Sequence, residues 1–171
     1  MGYTIIDENL NIKDIDYIKL SPKKNLIDKS FFLRDKFIKI NKYFSIDAIG
    51  IEDIVTKFVS GRSSIKTIIT LSQFNILAQY HLKDVFNIDP TKINVLRARN
   101  LSGIKIPKGS DTKDFVLNVV KEWYADILWP QKRNGGDKKE CYDMADSLVV
   151  AKALLMERLH NGNEQGKVSN S

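Results

Sequence analysis

One cysteine, Cys141, and two histidines in 171 residues exclude an internal disulfide and leave a zinc centre short of ligands. No apolar run approaches the roughly 18 residues of a membrane span. The N-terminus lacks the basic-then-apolar pattern of a signal peptide, so a protein of the cytosol or nucleoid is expected. A glycine-rich phosphate loop, a GxSxG elbow, a Cys/His constellation and an internal repeat are all missing. Nucleotide-binding P-loop, serine-hydrolase and zinc chemistries therefore have no foothold.

What is present is the composition of one globular domain, 43% hydrophobic and 28% charged. Its net charge of +6 points weakly toward a polyanion. The expected domain covers residues 1–160, and the polar stretch 161–171, which has no periodic apolar face, reads as a disordered tail.

The informative stretch runs from Cys141 through Asp143, Asp146 and Leu148 into Val149, Val150, Ala151, Leu154 and Leu155. Its apolar residues recur at helical spacing. Asp143 and Asp146, three apart, share one face of the first turn. Acids there suit the helix dipole, and an ordinary acidic first turn looks the same. A second acid changes the reading: Glu52 ends a short apolar segment, Ile46 to Glu52, read as a central strand covered on both faces. Carboxylates from a strand end and a helix start form an oxygen-rich nest for a hard cation, which also relieves their mutual repulsion.

Gly2–Asp7 and the segment from Leu10 to Leu20 read as a hairpin around a polar turn. Leu26 to Phe44 is an amphipathic helix with a solvated charged face. Lys57, Phe58 and Arg62 fall in a loop where the aromatic either stacks on a base between phosphate-binding cations or caps the core. Ser64 to Val85 is a helix whose apolar positions exceed one stripe, which suggests a partner subunit. Lys92 to Leu96 reads as a strand. Arg97, Arg99, Lys105 and Lys108 then make a basic, glycine-containing loop, and Asp111 caps a helix whose first turn carries Lys113. Lys113 is either a phosphate ligand or a solvated lysine. The sum is an α/β domain with a mixed sheet.

In order and spacing, Gly2-Tyr3-Thr4-Ile5-Ile6, Ile51-Glu52-Asp53, Ala98-Arg99-Asn100 with Gly103, Ser110-Asp111-Thr112-Lys113 and Asp143-Met144-Ala145-Asp146-Ser147-Leu148 resemble the RuvC family of Holliday junction resolvases. The resemblance implies a ribonuclease H-like mixed sheet flanked by helices. It implies cleavage of branched DNA, four-way junctions above all, by a homodimer during recombination and repair. Glu52, Asp143 and Asp146 fall on the family's metal carboxylates, which hold two Mg²⁺ ions with Mn²⁺ as a substitute. Lys113 falls on the lysine near the scissile phosphate, and Phe58 on the aromatic that probes the junction centre. In the family, a strand bearing the first metal-binding aspartate precedes the Gly-Tyr segment. Here the chain begins at Met1, and Asp7 lies at the wrong end of its strand. The expectation is therefore a missing first strand and a chain that binds junctions but cuts them poorly.

Overall fold

The computed structural model describes residues 1–53 and 65–168. In chain order they form β1 (Gly2–Ile6), β2 (Ile12–Tyr17), α1 (Leu26–Tyr43), β3 (Gly50–Glu52), α2 (Ile65–Phe86), β4 (Thr91–Ile93), α3 (Val95–Leu101), α4 (Thr112–Trp123) and α5 (Glu140–Val168). Among the described residues, no helix is long and apolar enough to cross a membrane. The chain folds as two units, one of Met1–Tyr17 with Val95–Ser171 and the other of Ile18–Asn94. The expected mixed sheet consists, among the described residues, of two short pieces: antiparallel β1–β2 in the first unit and parallel β3–β4 in the second.

In the first unit the hairpin turn is built around Asp7. Its carboxylate accepts the backbone N–H groups of Asn9 and Asn11 at 2.9 and 2.8 Å and pairs with Lys13 at 2.9 Å. The Lys13 ammonium, with Asn11, holds the Asp7 carboxyl well below the usual carboxylate range. Asp7 is thus committed to its turn, as its place in the sequence implies.

The hairpin lies on α5, whose buried Cys141, Met144, Ala145, Leu148, Val149 and Ala153 form the centre of the core. α4 adds Val116, Leu117 and Val120, and α3 adds Ala98. Asn25 caps α1 and Asp111 caps α4, each accepting N–H groups of the first turn. α5 extends to Val168, past Asn161, where the sequence shows no periodic apolar face.

Two boundaries differ from the sequence reading. β3 is confined to Gly50–Glu52 and pairs, among the described residues, only with the equally short β4. Residues 46–49 lie outside the strand, although the Ile49 carbonyl still accepts from the Thr91 N–H at 2.8 Å. The segment read as strand through Leu96 turns helical at Val95, so Arg97 and Arg99 stand on α3 and not on a loop. Val95 and Leu96 look strand-like locally, but Ala98, fully buried, sets the register of a helix packed on α5. Tertiary burial overrides β-propensity here.

In the second unit α1 and α2 pack through Leu33, Phe37, Ala78 and Leu82, with an Arg34–Asp84 ion pair at 2.9 Å. Between them His81 is 4% exposed. Ser30 Oγ donates to the Ile27 carbonyl at 2.8 Å, so His81 Nε2–H must donate to Ser30 Oγ, 3.3 Å away. That leaves Nδ1 as a buried lone pair with no partner among the described residues. Protonation would put an N–H where no acceptor waits, and burial, reinforced by Arg34 and opposed by Asp84, pushes the imidazole below its usual value. The unfolded chain then binds the extra proton more readily. Stability should be full above about pH 6.5 and fall as pH drops below it. Urea midpoints measured at pH 7.5 and 5.5 should differ in the native chain, and His81→Phe should shrink that difference.

Candidate active site

β1 approaches α5 more closely than any side chain allows. A Cβ on Gly2 would sit 2.0 Å from the Asp143 carbonyl oxygen and 2.7 Å from the Met144 nitrogen. Glycine is required there because backbone meets backbone. One pleat further along, Thr4 Oγ1 lies 2.7 Å from Ser147 Oγ, which itself donates to the Met144 carbonyl at 2.8 Å. Thr4 is therefore the donor to Ser147. These contacts clamp the first two turns of α5 to the sheet and fix where Asp143 and Asp146 emerge.

Asp143 is exposed, with Oδ2 3.1 Å from the Met1 amino group. Asp146 lies deeper. Its carboxyl is pushed above the usual range mainly by burial, with the Asp143 charge adding to the rise, while Arg99 and Lys113 pull it back. Those opposing influences define the cluster: two acids from α5, one cation from α3 and one from the first turn of α4.

The α4 entrance is held on both sides. The Asp111 carboxylate accepts the N–H groups of Lys113 and Asp114 at 2.8 and 3.0 Å. Asp114 in turn accepts a 2.6 Å hydrogen bond from the Tyr142 hydroxyl, one residue before Asp143. This bond raises the Tyr142 phenol to about 12, so it donates throughout the physiological range. Among the described residues Arg99 Nε is buried without a hydrogen-bond partner, while the guanidinium charge favours the ionised form of Asp146.

The other residues singled out from sequence divide as follows. Lys105 and Lys108 are exposed on the loop after α3, where Gly103 and Gly109 adopt positive φ. Arg97 pairs with Glu157 at 2.7 Å and so braces α3 against α5. Lys57, Phe58 and Arg62 lie outside the described residues. Glu52 belongs to the second unit, at the carboxyl end of β3 opposite Ile93, with its carbonyl accepting from Asn75 Nδ2 at 3.0 Å.

Sequence reasoning assigned no role to Gly2, Thr4, Ser147 or Tyr142. Gly2, Thr4 and Ser147 stand inside the quoted motifs, so they were visible as pattern but not as contacts. Nothing in the sequence signals the Tyr142–Asp114 bond.

The acids have the chemistry of a divalent-cation site: hard oxygen donors, one partly buried and held toward its protonated form, the other against solvent. The nearby cations suit a phosphate as the second guest.

The chain matches no protein-family model and no curated protein. Two solved structures share its fold. One, described as Thermus thermophilus RuvC in complex with a Holliday junction substrate, superposes with a TM-score of 0.60 at 11% identity, over 92% of this chain and 87% of that one. The other, Thermus thermophilus RuvC, gives 0.54 at 12% identity over 87% and 80%. At such identity the likeness establishes a ribonuclease H-like α/β fold.

Proposed function

We propose that this protein is a metal-dependent endonuclease that binds and cuts branched DNA, with four-way junctions as its preferred substrate. The observation that carries the reading is the Asp143–Asp146 pair set against Arg99 and Lys113, in a fold shared with a protein solved on a Holliday junction. Acids for a cation beside cations for a phosphate are what phosphodiester hydrolysis needs.

Asp143 and Asp146 would hold Mg²⁺, or Mn²⁺ in its place, and the family resemblance adds Glu52 as a further ligand and a second ion to the site. When bound, such ions activate water and neutralise charge on the leaving oxygen. The protein's own groups do the rest. Burial holds Asp146 toward its neutral form, a bias that a divalent charge reverses. Lys113, fixed by the Asp111 cap, meets negative charge growing on the phosphate oxygens. Arg99 balances the acids when no substrate is present. Lys105 and Lys108, with Lys57, Phe58, Arg62 and the partly committed Arg97, would hold the flanking strands.

Cleavage of a labelled four-way junction in Mg²⁺ or Mn²⁺, with linear duplex as competitor, tests the assignment. Junction binding that exceeds duplex binding, with slow metal-dependent nicks, is expected. Lys113→Gln should slow nicking by about 10²-fold while leaving junction affinity nearly unchanged. Equal affinity for both DNAs and no nicks in either metal would overturn the reading.

A dimer fits the same proposal. Ile65, Ile69, Ile76 and Tyr80, each at least 50% exposed, fall within one narrow arc of α2 at helical spacing. This apolar seam is the face we assign to a second copy. Sedimentation at micromolar concentration should show a dimer, and Ile76→Asp should return a monomer.

A further inference from the structure

The segment between α4 and α5 is an ordered hairpin, although its composition reads as a polar loop. Lys132 N–H donates to the Gly136 carbonyl at 2.7 Å and Gly135 N–H to the Lys132 carbonyl at 3.0 Å. Gly135 has φ of +81°. This is a tight turn closed by a glycine bulge, a conformation that favours glycine at that position. Gln131 bridges Asp137, and Lys138 N–H returns to the Pro130 carbonyl at 3.1 Å. Lys121 of α4 holds both Asp137 carboxylate oxygens at 2.6 Å.

The charges do not follow from that architecture. Asp137, the hairpin's one carboxylate, is consumed by Lys121. Lys132, Arg133, Lys138 and Lys139 are all exposed, and none joins an ion pair among the described residues. Lys138 and Lys139 also stand at the N-terminal entrance of α5, where their carbonyls accept from Cys141 and Tyr142. Cations there oppose the helix dipole and cost stability. Four uncompensated cations on a pinned frame, two of them placed against the dipole, call for an anion from outside the chain.

We propose that this hairpin is a phosphate grip that seizes the DNA backbone next to Asp143, which lies one helical turn beyond Lys139. The inference rests on the nuclease reading and deepens it by naming a contact surface. Its ligand is the phosphodiester backbone, read without regard to base sequence. Its frame is built before binding, so little order has to be gained on contact.

The test compares the native chain with a variant carrying Lys132→Gln, Arg133→Gln, Lys138→Gln and Lys139→Gln. Junction affinity is measured by fluorescence anisotropy across a series of salt concentrations, together with thermal unfolding. The plot of log affinity against log salt should become shallower by about 2–4, and low-salt affinity should fall at least about tenfold. Melting temperature should hold or rise, because the dipole penalty is gone. A Lys132→Gln, Arg133→Gln pair at the tip alone, which leaves the α5 entrance untouched, should give about half the change in slope. A control that neutralises Lys36, Lys39 and Lys42 on α1 should change the slope little. An unchanged slope in the fourfold variant, while the native chain binds and nicks junctions, would overturn the grip and leave the nuclease reading standing. Equal losses in the α1 control would assign the effect to bulk charge and overturn it as well. A native chain that binds no DNA at all would sink both ideas.

Discussion

Asp146→Asn is expected to abolish metal-dependent cleavage and, in a chelator, to make the protein more stable. The two effects share one cause. The carboxyl of Asp146 is pushed toward its protonated form by burial and by Asp143, and Arg99 and Lys113 only partly offset this. The surroundings of Asp146 in the folded protein therefore disfavour its charged form. An amide of the same shape removes that cost, and the melting temperature should rise by about 2–4 °C for each kcal/mol relieved. The same change deletes a hard anionic donor, so nicking should fall more than about a hundredfold, beyond what losing an outer-shell partner costs. Added Mg²⁺ should raise the melting point of the native chain and not that of the variant. A variant that is less stable in chelator would mean that the two cations outweigh burial, and the assignment of strain to Asp146 would fail. Sites that store such strain for function are a common reason why stabilising substitutions cost activity.

Gly2→Ala should damage the same site from the opposite side. The new methyl would meet the Asp143 carbonyl at 2.0 Å and its carbon at 2.3 Å, and neither atom is the movable tip of a side chain. Either α5 shifts at its entrance or the start of β1 lifts away. Lifting sacrifices the Gly2↔Tyr17 pairing, and shifting disturbs Thr4–Ser147. Overpacking of this kind costs about 1–3 kcal/mol and sometimes more. Chemical denaturation should show a loss in that range, and hydrogen exchange should show faster opening at the amides of Asp143 and Met144. Unchanged stability with unchanged exchange would mean that the close approach of β1 to α5 is not maintained in solution.

These two residues also show what the sequence can and cannot convey. The α5 acids were legible because a helical apolar period follows them and fixes their face. The α4 cap was legible because Asp111 precedes Lys113 at the spacing that caps require, and the hairpin because polar residues interrupt two alternating runs. Arg99 was legible as a cation but not as a neighbour of Asp146. Val95 and Leu96 carry strand-like side chains, and only packing against α5 makes that segment helical. Gly2 carried no local sign of its role, since the demand for a missing side chain comes from a backbone about 140 positions away. The Tyr142–Asp114 bond is opaque for the same reason. Contacts between distant segments leave no periodicity to read.

The discontinuous first unit has a consequence for how the protein comes into being. The β1–β2 hairpin is synthesised long before the helix it must lie on: Thr4 and its partner Ser147 are 143 residues apart. At about 5–20 residues per second of synthesis, the hairpin waits on the order of ten seconds with its apolar face and strand edges uncovered. The Ile18–Asn94 unit, whose contacts α1–α2 and β3–β4 are internal to it, can complete itself during that interval. A nascent chain stalled before α5 would therefore carry a folded Ile18–Asn94 unit beside an uncovered β1–β2 hairpin, a natural target for chaperones until α5 arrives.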